Sequence, residues 1–144
     1  MLVSKILQSK GDDGVLSVPS SATIADAVKI LGERRIGTVV ISDDGQVPLG
    51  ILSERDVVRI IAAKGASVLQ DSVADHMTKR LVTCERDNTV QQILATMTEK
   101  RFRHMPVVEN GVMVGIITLG DAVKAQLTEL EMEKDALQGM IAGY

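Results

Sequence analysis

The sequence predicts an α+β fold: two pseudo-symmetric β-α-β-β-α repeats packed sheet to sheet, followed by a C-terminal helix. Three observations predict it. A shift of 66 residues lays Thr23 on Thr89, Glu33 on Glu99 and Arg35 on Arg101, with Ile24, Ala27 and Leu31 falling on Val90, Ile93 and Met97. A shift of 65 then lays Gly50, Ile51, Asp56 and Val58 on Gly115, Ile116, Asp121 and Val123, and Ser53 on Thr118. Strand-like and helix-like spacing also alternate in the same order in both copies. At 144 residues and 45% hydrophobic the chain is long enough for a real core. One copy of about 50 residues buries little surface alone, so the two should share one body.

The elements follow in order. Leu2–Gln8 reads as a short helix leading into the polar loop Gly11-Asp12-Asp13-Gly14. Val15–Val18 is the first strand, and Ile24, Ala27, Val28 and Leu31 then share one helix face. Thr38–Ser42 and Leu49–Leu52, joined by a turn containing Asp44-Gly45, form a hairpin, and Glu54–Ala63 closes the copy as a helix. The stretch Lys64–Lys79 carries a short helix at Ser72–Met77. The second copy repeats the plan: strand Leu81–Cys84, a helix with Val90, Ile93, Leu94 and Met97 on one face, Met105–Glu109, the Asn110-Gly111 turn, Val112–Ile117, and a helix from Leu119. The chain therefore divides into an N-terminal helix and loop (1–14), repeat one (15–64), a linker (65–79), repeat two (80–127) and an acidic extension (128–144). From Ala122 to Ile141 a single helix is expected, with Leu127, Leu130, Leu137 and Ile141 near coiled-coil spacing and Lys134 interrupting them.

Composition excludes several roles. Phe102 and Tyr144 are the only aromatic residues, whereas single-strand nucleic-acid binders stack bases on several rings. No nucleic-acid partner is expected, and any bound base must lie between aliphatic side chains. No run approaches the roughly 20 apolar residues of a membrane helix, and no signal-peptide core is present. The single cysteine, Cys84, forbids an internal disulfide and fits a reducing cytoplasm; it reads as a small core residue. No Cys/His cluster has metal-ligand spacing. No phosphate-binding Walker loop, nucleophile elbow or Cys/His pair is present, so no enzyme activity is expected. His76 carries no assigned role, and the methionines read as core filler.

The net charge of −3 lies beyond Thr128, where Glu129, Glu131, Glu133 and Asp135 face Lys134 alone. Between Met77 and Arg103 six bases (Lys79, Arg80, Arg86, Lys100, Arg101, Arg103) oppose three acids, and His104 follows. Such a segment is either a solvated face or an attractor for phosphate. His104 itself reads either as a satisfied structural histidine or as a phosphate contact.

The chemistry concentrates in a repeated run, Gly50-Ile51-Leu52-Ser53-Glu54-Arg55-Asp56 and Gly115-Ile116-Ile117-Thr118-Leu119-Gly120-Asp121. Ser/Thr-x-x-Asp is a helix capping box, and Thr23–Asp26, Ser72–Asp75 and Thr89–Gln92 offer similar boxes with no further meaning. Unlike these, the Ser53 and Thr118 boxes end glycine-led strands. That places a hydroxyl and a carboxylate at a helix N-terminus, which attracts phosphate, and the acid can accept two ribose hydroxyls. The glycine admits either a ligand or neighbouring backbone. Capping and ligand binding both remain open at this point.

These runs, with Arg35-Ile36-Gly37-Thr38-Val39-Val40, Arg101-Phe102-Arg103-His104-Met105-Pro106 and Ser53–Arg59, resemble a tandem CBS-domain pair, or Bateman module, of the small stand-alone bacterial type; the resemblance covers roughly Val3 to Leu127. The resemblance implies a non-catalytic energy or redox sensor that binds AMP or ATP, or else ADP, NADH or S-adenosylmethionine, in clefts between the repeats. It implies that Asp56 and Asp121 bind ribose, and that Ser53 and Thr118 hold phosphate. Arg55 can reach the same phosphate, while its counterpart Gly120 offers no side chain. Thr38, Arg103 and His104 supply further contacts, the last two reaching to the Asp56 pocket, with adenine between Val15, Val39, Met105 and Pro106. It also implies a homodimer, head-to-head or head-to-tail, and a separate, unidentified target protein. A structural dimerisation module with vestigial pockets is the alternative.

Overall fold

Every helix of the two repeats begins where a hydroxyl stands three residues before an acid or amide. In a computed structural model describing residues 1–11 and 15–143, the element order is α1 (Val3–Lys10), β1 (Ser17–Val18), α2 (Ile24–Arg34), β2 (Thr38–Ile41), β3 (Gly50–Ser53), α3 (Glu54–Lys64), 3₁₀ turns at Ala66–Gln70 and Val73–Asp75, α4 (Val90–Lys100), β4 (His104–Glu109), β5 (Val112–Thr118) and α5 (Leu119–Ile141). The predicted loop residues Asp12, Asp13 and Gly14, and the aromatic Tyr144, lie outside the described residues. Thr23, Ser53, Thr89 and Thr118 each accept from the N–H three residues on, and Asp26, Asp56, Gln92 and Asp121 each reach back to the N–H of the capping residue. Two of the four N–H groups that a helix start leaves unpaired are thereby satisfied. The α+β class is as expected. The helix expected over Ser72–Met77 is only the 3₁₀ turn Val73–Asp75, and the turn Ala66–Gln70 was not anticipated.

Two compact units form. One comprises Gly14–Val82 and Val108–Val114. Its sheet has the order β1-β2-β3, with β2 parallel to β1 and antiparallel to β3, so that Thr38 faces Ser53 and Ile41 faces Gly50. All four residues of β2 are buried, as expected of a central strand covered on both faces. Ile24, Ala27 and Leu31 of α2 pack with Val18, Ile41, Leu52, Ile60 and Val73 in the core, and Val28 lies against it. That is the face the sequence spacing predicts.

The other unit comprises Met1–Asp13, Thr83–Val107 and Gly115–Tyr144. Val90, Ile93 and Met97 form the buried face of α4, and Ala122 and Ala125 that of α5. The strand expected at Leu81–Cys84 does not form. It is reduced to one parallel bridge, Cys84 to Val107, with the Cys84 N–H donating to the Pro106 carbonyl at 3.0 Å. The cause is Pro106, which has no N–H with which to extend a ladder. Its counterpart Val40 has one, and the first repeat adds the pair Ser17–Val40 to Val18–Ile41.

The repeat reaches further than the sequence comparison found. Beside α2, Thr23 bridges Ser72, the Ile24 N–H donates to the Asp71 carbonyl (2.9 Å) and the Val73 N–H to Ala22 (2.8 Å). Beside α4, Thr89 bridges Leu2, the Val90 N–H donates to Met1 (2.9 Å) and the Val3 N–H to Asn88 (2.9 Å). At an offset of 70 residues, the start of the chain does for the second repeat what the linker does for the first. Val3 and Val73, both wholly buried, are equivalent. Ile6 corresponds to His76, whose Nε2 meets Asp71 Oδ2 at 2.7 Å.

Candidate functional site

The two glycine-led motifs end β3 and β5 and open α3 and α5. Ser53 Oγ accepts from the Asp56 N–H at 3.1 Å, and the Ser53 N–H donates to Asp56 Oδ2 at 2.9 Å. Thr118 and Asp121 do the same at 3.0 and 2.9 Å. The capping reading is therefore correct for both. It does not exhaust their chemistry. The cap uses each hydroxyl as an acceptor and takes one oxygen, Oδ2, of each carboxylate.

The cations beside the two carboxylates differ, one meeting the oxygen outside the cap and the other the capping oxygen itself. Asp56 Oδ1 accepts from Arg59 Nη2 at 3.0 Å, the Asp56 side chain being 15% and the Arg59 side chain 72% exposed. At Asp121 the cation is Lys10, at the end of α1. Its ammonium donates to Asp121 Oδ2 (2.7 Å) and to the Ile116 carbonyl (2.9 Å). By the 70-residue offset Lys10 matches Arg80, which is exposed. Sequence reading missed Lys10, and that offset is the signal that finds it. Lys10 also lines a cavity of about 320 Å³ with Lys5, Ser9, Asp121, Lys124 and Thr128.

Burial pushes the Asp121 carboxyl up, but the Lys10 ammonium, the Thr118 N–H and the Thr118 hydroxyl together hold it below its ordinary value. A depressed folded-state value stabilises the fold above the unfolded carboxylate range, near pH 4, and that contribution fades as pH falls through the folded value. Lys10→Met should therefore destabilise the protein at pH 7 by roughly 0.5 kcal/mol, a figure discounted for partial solvent screening. The gap to wild type should close as pH falls below the ordinary carboxylate range and through the folded value. Melting temperatures of both proteins across pH measure it; a gap that does not change with pH would refute the ion pair as its source.

The hairpin starts are held against these helix starts by one device in each repeat. Arg35 and Arg101 end α2 and α4 in the left-handed region, with φ of 53° and 56°. The chain turns back so that the Gly37 carbonyl accepts from the Glu54 N–H (2.9 Å) and the Arg103 carbonyl from the Leu119 N–H (2.8 Å). Thr38 thus faces Ser53, and Arg103 and His104 come beside the start of α5 in their own repeat. Arg103 and Arg55 are exposed and His104 is half-buried. Thr38 is 9% exposed, and its hydroxyl oxygen is sealed from solvent with no partner. An orphan of this kind costs about 1–3 kcal/mol.

Of the residues expected around adenine, Val15 is half-buried, Val39 and Met105 are wholly covered, and Pro106 is buried. The motif glycines admit neighbouring chain. A Cβ on Gly50 would lie 2.5 Å from Met77 Sδ and 2.9 Å from the Thr78 carbonyl; one on Gly115 would lie 2.6 Å from Leu7 Cδ2. Among the described residues no cluster of His, Cys, Asp or Glu is placed to hold a metal, and no helix is long and apolar enough to cross a membrane.

Comparisons with known proteins agree with this geometry. The CBS domain family model matches residues 11–63 and again 73–128. The Arabidopsis thaliana CBS domain-containing protein CBSX3, mitochondrial, is 33% identical over 98% of this chain and 72% of its own length. The Arabidopsis protein CBSCBSPB5 is 29% identical over 81% of the chain, but only 21% of its own length is spanned. The crystal structure of the CBS-domain containing protein ATU1752 from Agrobacterium tumefaciens superimposes with a TM-score of 0.83 at 44% identity, covering 88% of this chain and 99% of that one. A CBS domain protein from Pyrobaculum aerophilum, PAE2072, solved in complex with AMP, gives 0.73 at 25% identity, covering 84% and 89%. With a duplicated glycine-led strand opening onto a capped helix, and with the family matched at both copies, the chain belongs to the CBS domain family as a tandem pair.

Proposed function

We propose that the chain is a non-catalytic sensor of adenine nucleotides in a reducing, cytoplasmic setting. CBS pairs are in general regulatory modules. Asp56 and Asp121 accept the ribose hydroxyls, Ser53 and Thr118 turn their hydroxyl protons to phosphate, and Arg55, Arg103 and His104 add positive charge. AMP is the first ligand to test, because the Pyrobaculum relative was solved with it; ATP, ADP, NADH and S-adenosylmethionine follow. Ligand binding shifts the population of conformers, and a separate target protein reads the shift. The observation that carries this reading is the recurrence, in both repeats, of a hydroxyl and of a carboxylate oxygen outside the cap, Oδ1, at a helix N-terminus that follows a glycine-led strand.

At 100 times its Kd, AMP should stabilise the protein by about 2.7 kcal/mol, a rise of roughly 5–10 °C in Tm for a chain of this size. Calorimetry showing no heat, together with an unmoved Tm for all five compounds, would sink the proposal. One observation favours the alternative, a structural module with vestigial pockets. The Thr23 and Thr89 boxes, which end no glycine-led strand, bond in the same way as the Ser53 and Thr118 boxes.

A further inference from the structure

We propose that α5 pairs antiparallel with α5 of a second copy of this chain, over Val123–Ile141. The family match ends at residue 128, yet α5 continues unbroken to Ile141. Along it, Val123, Leu127, Leu130, Leu137 and Ile141 are all exposed, from 42% at Val123 to 87% at Ile141. They recur at alternating steps of four and three, with Lys134 filling the missing position. That is the seam of a coiled coil. The opposite side of α5, at Ala122 and Ala125, is spent on the core. An apolar stripe about 27 Å long, at 1.5 Å per residue, therefore faces water on a helix with no further use for it.

A second copy is the occupant because the stripe complements itself in one direction. Turned antiparallel about Met132, Val123 meets Ile141, Leu127 meets Leu137, and Leu130 meets Lys134. Each Lys134 then lies over the partner's Leu130, within reach of the partner's Glu131 and Glu133, so the interrupting charge finds opposite charge. In a parallel, in-register pair the two Lys134 ammonium groups would face each other in one layer, and like charges there oppose pairing. The inference does not rest on nucleotide binding.

Cysteine cross-linking of the full chain tests it. A mixture of the Leu130→Cys and Lys134→Cys variants should form a disulfide-linked dimer under mild oxidation, and neither variant alone should do so efficiently. Unmodified protein, whose Cys84 is buried, is the control. Adding Leu127→Asp and Leu137→Asp to both chains should abolish the link while leaving the circular dichroism of the fold intact, since both positions are exposed. Absence of the mixed link overturns the proposal. So does equal linking by either variant alone, which marks a parallel pair, and so does a link that survives the two aspartates.

Discussion

Asp56→Ala should abolish the thermal response to AMP at the first repeat, while Asp26→Ala should leave it intact, although both lower the Tm by a similar few degrees. The two acids occupy identical boxes in one unit. Each accepts from its capping residue's N–H, at 2.9 Å for Asp56 and 3.0 Å for Asp26. Losing a cap costs about 1 kcal/mol, or roughly 3 °C here. What separates them is position. Asp56 follows β3 and faces the hairpin start through the Thr38–Ser53 pair, whereas the Thr23–Asp26 box follows no glycine-led strand. Two hydrogen bonds from ribose to a carboxylate, at about 1.5 kcal/mol or more each, convert to a loss of roughly 100-fold or more in affinity. Titration calorimetry on the three proteins separates the terms. If Asp56→Ala binds AMP as wild type does, the carboxylate is a cap and nothing more.

Gly50→Ala should cost about 2–3 kcal/mol, near the upper end for overpacking, and Gly115→Ala distinctly less. Both glycines sit at the same motif position, and both lack room for a Cβ. The difference lies in what must move. At Gly50 the added carbon meets Met77 Sδ and Cγ and, at 2.9 Å, the Thr78 carbonyl. That carbonyl accepts the Ile51 N–H at 3.1 Å, and the Thr78 N–H donates back to Ile51 at 2.9 Å. The side chain can swing away, but the backbone cannot retreat without breaking this pair. At Gly115 the three nearest atoms all belong to the Leu7 side chain, which can change rotamer. Urea unfolding of the two variants should therefore give unequal midpoints. Equal losses would show that the side chains, common to both sites, set the cost.

Much of this was legible in the residues because local chemistry and tertiary packing agree. The apolar spacing of Ile24, Ala27 and Leu31 names the buried face of α2, and hydroxyl–acid pairs name the helix starts. The shortened strand at Cys84 was less legible, because its cause sits on another segment, in the missing N–H of Pro106. Lys10 was missed for a related reason. Its partner Asp121 lies 111 residues away, and only the shared fold role of the chain start and the linker brings out the match with Arg80. Val39 and Met105 illustrate a third limit: an aliphatic residue beside a motif has the same letters whether it lines a surface or fills the interior, and here both are covered.

The chain start's service to the second repeat has a practical consequence. A fragment cut at the apparent boundary, from residue 80 onward, would discard Val3 and Leu7, which seal α4 and cover Gly115, and would leave bare hydrophobic surface where the intact molecule has none. The unit that was doubled runs from the opening helix, so an engineer who wants one half alone should transplant the first ten residues along with it.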